Sequence, residues 1–490
     1  MRAARTLAAA LAAALALVAP RFASAEGLRL TAQSRSGEPG LIVRTAREEE
    51  SRPPVRTEDT ASGMDKFIPA AEVLGFSFLL NRYDYYLIDK ETFRTTYSSI
   101  QRNLHSRWVF DNDPFSVNQF LHPYQGTVFF GLARSAGVDY WQSLGYSVGG
   151  SLLWEIAGET TLASINDLIA TGIGGTFLGE PLYRMASLLL ERGKEEPGFW
   201  REVGAALVSP PLGFNRLVMG NRYRAVFDSR DPALFTNLRL GGSNTDYLRG
   251  RGASQVFRPN EGIVDFHLAY GLPGKPGYEY HRPFDYFDFQ FTGSSANMFE
   301  SIMSRGLLAG QRYSFGEGYR GVWGVYGSYD YISPQLYRVS STAVSLGSTA
   351  QWWLSKTVAL QGTVLAGLGY GAGGAIHSTA ERDYHYGATP QVLAAFNMIF
   401  GERANLELAA RGYYISRVFS TEDRGSEHIV RLDAAFTWRV HGPHAVALKY
   451  VASERNAGYP DIENRRQRVG TVSLLYSYLF DANFGAVDWR

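Results

Sequence analysis

The 490-residue chain contains no cysteine. That absence excludes a disulfide scaffold, a thiol catalyst and any cysteine-ligated metal or iron–sulfur centre. An excess of charge is also missing: 48 basic residues stand against 47 acidic ones, a formal net charge of +1. No nucleic-acid partner is therefore expected, since such a face needs concentrated positive charge. Long apolar runs are scarce after the N-terminus. The uncharged stretch Tyr140 to Trp154 is broken by Gly145, Gly149 and Gly150 and closed by Glu155, and a spanning helix needs about 20 apolar residues. The mean hydropathy of −0.17 is too low for a polytopic helical membrane protein. At 45% hydrophobic, the chain is equally unsuited to global disorder. A large soluble protein and a membrane β-barrel remain, and a barrel can use hundreds of residues as one unit.

What is present begins with an export signal. Arg2 and Arg5 precede an apolar run from Leu7 to Val18, and Ala23-Ser24-Ala25 supplies a small-x-small cleavage site, the order of a secretory signal peptide over residues 1–25. Pro20 and Arg21 cut the run short of a membrane span. Residues 26–63 carry mixed charges, Pro53 and Pro54 and few large apolar side chains, which reads as a disordered linker.

From Leu234 the hydrophobic period becomes two. Leu432, Ala434, Phe436, Trp438 and Val440 share one face, opposite Arg431, Asp433, Thr437 and Arg439. The same split recurs at Leu406, Leu408 and Ala410 against Glu407 and Arg411, at Val264, Phe266 and Leu268 against Asp265 and His267, and at Phe287, Phe289 and Phe291 against Asp288 and Gln290. Short turns alternate with longer polar connections, as an outer-membrane barrel requires. A soluble sandwich would also alternate, but the face opposite the apolar stripe is charged here, the inverse of a soluble core. The pattern predicts an antiparallel transmembrane β-barrel of about 12 strands over residues 234–480, with a tail at 481–490. The segment TVSLLYSYLF ends its apolar face on Phe480 and resembles the C-terminal strand signal read by the barrel-assembly machinery. Outer-membrane lipid and that machinery are the expected partners, and the outer membrane the expected location.

Residues 64–221 instead show helical spacing, in about five or six helices. Gly145, Gly149, Gly172, Gly175 and Gly179 would let helices approach closely. The whole is thus an α+β multidomain chain, with the helical module expected either on the periplasmic side or inside the lumen.

The runs VNQFLHPYQG and WEIAGETTLASINDLIAT lie within Asn112 to Gly220. This stretch resembles the helical core of a bacterial envelope family, the domain of unknown function 3943, in which a barrel follows in the same order. The resemblance implies architecture and an envelope location, and no chemistry.

His122, Glu155, Glu159 and Asp167 are polar within apolar helical text. Glu155 and Glu159, four apart, would share a helix face. With His122 and Asp167 they make a candidate set for a divalent ion or for an acid–base pair. A structural reading competes. Ser164 and Asp167 are spaced as a capping box, and Pro123 suits a first helical turn, leaving His122 near a cap. Asn118, Gln119, Gln125, Asn166 and Thr171 would complete a buried polar network, because unpaired buried groups cost about 1 to 3 kcal/mol each. Glu155 and Glu159 would pair with Arg134 or Arg184. Gly172 to Gly175 lies inside a helical pattern and is no phosphate loop. Two functions follow as expectations: a non-enzymatic outer-membrane protein serving envelope structure, lipid handling or solute passage, or an envelope hydrolase or phosphatase using the four candidate residues.

Overall fold

The computed structural model describes residues 55–56, 61–191, 197–248, 260–376, 380–419 and 425–489. The signal peptide and nearly all of the linker lie outside the described residues.

Twelve strands close into a barrel: β1 (Leu234–Leu248), β2 (Asn260–Tyr270), β3 (Phe287–Ser294), β4 (Ser301–Phe315), β5 (Tyr319–Ile332), β6 (Arg338–Trp353), β7 (Val358–Gly374), β8 (Tyr384–Phe400), β9 (Ala404–Ile415), β10 (Ser426–His441), β11 (His444–Tyr459) and β12 (Ile462–Leu479). Each pairs antiparallel with its sequence neighbours, and β12 returns to β1 with Leu479 opposite Asn237. Closure removes every unpaired edge, the condition for crossing hydrocarbon with strands. The chain enters β1 and leaves β12 at the end that carries the tight turns 316–318, 354–357, 401–403 and 442–443. Most of the longer connections gather at the other end, and 271–286 is the long one at the tight-turn end.

The two faces of the sheet divide as the alternation predicts. Outward residues of β10 to β12, among them Leu432, Trp438, Leu448 and Leu474, are bare, and this apolar belt defines a transmembrane barrel. The inward face is joined across the lumen. Arg239 of β1 binds Glu407 of β9, Arg411 of β9 donates to Gln290 of β3 at 3.1 Å, and Tyr413 of β9 donates to Asp330 of β5 at 2.9 Å. These bonds leave a cavity of about 130 Å³, lined by both signs of charge.

The tail folds back into the lumen at the tight-turn end. Gln351 donates to the Val487 carbonyl at 2.7 Å and accepts from the Val487 amide at 2.9 Å, while Gln361 donates to the Gly485 carbonyl at 2.7 Å. Phe484 is buried beside Phe235 and Leu479. Backbone groups that would otherwise be lost in an apolar plug are thus paired by inward glutamines.

The N-terminal helices are α1 (Met64–Leu87), α2 (Tyr97–His105), α3 (His122–Ser135), α4 (Tyr140–Leu153), α5 (Gly175–Glu191), α6 (Phe199–Val208) and α7 (Pro210–Val218). π-turns at Val117–Leu121, Trp154–Gly158 and Leu168–Gly174 adjoin α3, α4 and α5. α3 crosses α5 at Gly126 and Gly175, where a Cβ on Gly126 would sit 1.8 Å from the Thr171 carbonyl oxygen. Only glycine permits that approach. Gly172 and Gly179 are also close-packed, whereas Gly145 and Gly149 face open space.

These helices do not fill the lumen. They pack on the outer wall, against side chains of the same parity as the apolar belt. Phe177 lies where a Cβ on Gly327 would point, Ser304 donates to the Phe177 carbonyl at 2.7 Å, and Tyr329 donates to the Gln119 carbonyl. The inward neighbours Ser328, Asp330 and Arg305 face the opposite way, into the barrel. Outward Phe266, Leu268, Phe287, Phe289 and Phe291 are buried in one cluster with Phe120, Phe177 and Leu182 of the module. The expectation of a lumen-filling module is corrected here: the lumen is already closed by its own ion pairs, and the module runs alongside the barrel rather than beneath it.

Candidate functional site

The polar residues singled out from the sequence meet at the seam between module and wall, at the end of the longer connections. Asn166 is the junction. Its side-chain amide donates to Asp167 at 2.9 Å, to Asp111 at 3.2 Å and to the Tyr386 hydroxyl at 2.9 Å, and its carbonyl oxygen accepts from Ser164 at 2.8 Å. Asn118 donates to Asp111 and, at 3.0 Å, to the Tyr384 hydroxyl, while Gln119 donates to the Tyr386 hydroxyl at 2.9 Å. Tyr384 and Tyr386 belong to the outward face of β8, so the barrel wall itself completes the network. Sequence reasoning missed both tyrosines. Their alternation with His385 marks them as outward, but nothing local says that helices rather than lipid cover them.

His122 contacts Thr171 through Nδ1 at 3.2 Å, and its Nε2 lies 4.0 Å from Asp167. The Asp167 amide donates to Ser164 Oγ at 3.2 Å, so the capping interaction read from the sequence is present. Asp167 is buried, and burial first, then the nearby Asp111 charge, pushes its carboxyl well above the usual range. Glu155 is raised by burial and by Asp167. Glu159 is raised by burial, with His122 opposing. Asp84 of α1, half-buried beside the same group, is pushed up to about 6 by burial and by Glu159, with His122 again opposing.

Two expectations fail. Glu155 and Glu159 do not share a helix face, because the π-turn Trp154–Gly158 ends the helix and leaves Glu159 extended at φ −129° and ψ 160°. Glu155 accepts from the Ser164 amide at 2.7 Å, whereas Glu159 accepts from the Trp154 indole at 2.7 Å and from Thr161 at 2.9 Å. Nor does either glutamate pair with Arg134 or Arg184. Those arginines bind Glu180, at 2.7 Å each, and Arg184 reaches on to Asp285 at 3.0 Å in the 271–286 connection. This second buried assembly ties the module to the barrel at its tight-turn end, with the Arg134 guanidinium over Tyr183 and that of Arg184 over Phe227.

Chemically, the seam can hold protons on its carboxylates and offer hydrogen bonds to a polar group. Among the described residues no three histidine, aspartate or glutamate side chains gather to ligate a metal ion. The Asn118 Oδ1 and Gln125 Nε2 atoms are buried without a hydrogen-bond partner among the described residues.

Fold and site together define a transmembrane β-barrel with a helical module fixed to its outer wall. Residues 107–211 match the model of the domain of unknown function DUF3943, which covers the seam residues contributed by the helices except Asp84. No curated protein matches the chain. Among solved structures it is similar to the NanC porin (6% identity, 48% of this chain and 98% of that one, TM-score 0.24). The KdgM porin is similar at 7% identity, over 49% of this chain and 98% of that one, with a TM-score of 0.22. The outer-membrane channel DcaP of Acinetobacter baumannii also gives 7% identity, over 50% and 96%, with a TM-score of 0.22. At these scores the likenesses carry no functional argument, and the barrel stands on its own closed register.

Proposed function

We propose that this protein is exported by its signal peptide, inserted into the outer membrane of a Gram-negative envelope by the barrel-assembly machinery, and works on the lipid side of its barrel, in lipid handling or envelope structure. The observation that carries this reading is the place of the seam: the polar network of His122, Asn166 and Asp167 lies against outward Tyr384 and Tyr386, while the lumen is crossed by ion pairs and closed by the tail. A solute path through the lumen would break those contacts, so passage through the barrel is disfavoured. The seam would accept the polar part of a lipid at the edge of the apolar belt, using Asn118, Asn166 and the tyrosine hydroxyls as hydrogen-bonding groups and the carboxyls of Asp167 and Glu155 in their protonated form as donors. No nucleic acid is involved in this reading.

Native mass spectrometry of protein released from its own membranes tests the proposal. The expected result is co-purified lipid that decreases in Asn166→Ala and Tyr386→Phe. Ion conductance through the reconstituted wild-type barrel, or no retained lipid, would overturn it.

A further inference from the structure

We infer that the outer surface of the helical module is itself a lipid-contact surface, covered in the membrane by acyl chains. This inference is independent of what the seam binds. It starts from the pattern of α1. The buried residues of this helix are Pro69, Val73, Ser77 and Asn81, spaced by four, and two of them are polar. Its exposed positions include Leu74, Phe78 and Leu79. From Phe67 to Asn81 the only charge is Glu72, which accepts from Asn215. α7 repeats the arrangement: its buried residues are Pro211, Leu212, Asn215 and Arg216, the last two bound to the Leu132 carbonyl and to Glu202, whereas Leu217 is 85% exposed beside exposed Phe214 and Val218. A helix packed on a water-soluble protein turns its apolar stripe inward and its polar residues out. In both helices half of the buried residues are polar while large apolar side chains stand exposed, as in helices whose solvent is hydrocarbon and whose polar groups must find partners inside.

The position of the module selects the occupant. Its contacts run from Glu381 and Tyr384, at one end of the barrel, to Asp285 at the other. The module therefore covers the height that the apolar belt occupies, about 25 Å in barrels of this kind. On either side of it the barrel wall is bare and apolar, at Leu240 on one flank and at Leu346 and Leu368 on the other. The exposed residues of α1 and α7 continue that belt without a break in chemistry. Among the described residues no helix is long and apolar enough to cross a membrane alone; the buried polar side chains of α1 and α7 find their partners within the module, and the barrel wall anchors it.

The absence of cysteine makes the test direct. Single substitutions Leu217→Cys and Phe78→Cys are spin-labelled in the full chain, reconstituted into vesicles of phosphatidylethanolamine and phosphatidylglycerol. Collision with oxygen is compared with collision with a water-soluble nickel chelate. Leu448→Cys on the outward face of β11 serves as the lipid reference, and Lys356→Cys in a turn as the water reference. Labels at 217 and 78 are expected to lose nickel contact relative to 356 and to match the oxygen preference at 448. Nickel contact equal to that at 356 would place the surface in water and overturn the inference. Exclusion of both reagents would overturn it in favour of a second copy or another protein. The two positions lie on different helices, so a fold defect at one leaves the other informative.

Discussion

The side-chain amide of Asn166 donates to the hydroxyl of Tyr386 at 2.9 Å, although 220 residues separate them. This bond joins a helical turn to a barrel strand and is buried on both sides. Tyr386→Phe removes the hydroxyl on which Asn166 and Gln119 converge. A double-mutant cycle with Asn166→Ala, read by urea unfolding in detergent, is expected to give a coupling of about 0.5 to 1.5 kcal/mol. Zero coupling would mean that the seam is not formed in solution.

The seam carboxyls make the module sensitive to pH. Asp84 is raised from 3.8 to about 6, and Glu155 and Asp167 are raised further by burial. A carboxyl whose folded pKa is raised stabilises fully below its unfolded value, and that contribution is lost as pH climbs through the folded value. For Asp84 the window runs from 3.8 to about 6, and the other two extend it upward. Stability should therefore fall as pH rises from 3.8 through about 6, and go on falling above it as the other two carboxyls ionise. Asp167→Asn should flatten that fall and make the protein more stable than wild type at the upper end. Thermal unfolding followed by tryptophan fluorescence across this range checks both, and a rise with pH would contradict the assignment.

Glu180 is the shared partner of Arg134 and Arg184, all three buried. Glu180→Gln removes the carboxylate that the two guanidinium groups share, leaving Arg184 with Asp285, and breaking a buried pair in this way costs about 3 to 5 kcal/mol. The loss should appear as detachment of the module, seen as new protease cleavage between α5 and β1, while the barrel keeps its shifted mobility on unheated gels.

The tail plug is held by Phe484 as well as by Gln351 and Gln361. Phe484→Ala is expected to cost about 3 to 5 kcal/mol, the usual range for a buried phenylalanine. Its urea midpoint should fall accordingly. An unchanged midpoint would show that the tail does not seat in the lumen.

Much of the barrel is legible in the sequence because the information is local. Arg431 and Asp433 alternate with Leu432 and Ala434 whatever the rest of the chain does, and the period of two admits no helix. The location of the module is not local. Phe287, Phe289 and Phe291 read as an outward apolar face whether lipid or helix covers them, and the apolar text of α1 conceals which side turns inward. For the candidate site, Ser164, Asn166 and Asp167 are close in sequence and the Ser164 cap is visible from its spacing, whereas His122 meets them only through the packing of α3 against the turn after Asp167. The separation of Glu155 from Glu159 depends on a π-turn that ordinary helical spacing does not anticipate. The pairing of Arg134 with Glu180 spans 46 residues, and its partner is set by how α3 crosses α5 at Gly126 and Gly175.

The central claim, that the helices sit on the outer wall, is tested most directly by disulfide trapping in intact membranes. A Cβ on Gly174 would lie 2.8 Å from Thr342 Oγ1 on the outward face of β6, while Ala343, the next residue, turns into the lumen. Gly174→Cys combined with Thr342→Cys is predicted to cross-link on mild oxidation, and Gly174→Cys combined with Ala343→Cys to remain reduced. Cross-linking of the second pair with failure of the first would put the helices inside the barrel and contradict the account.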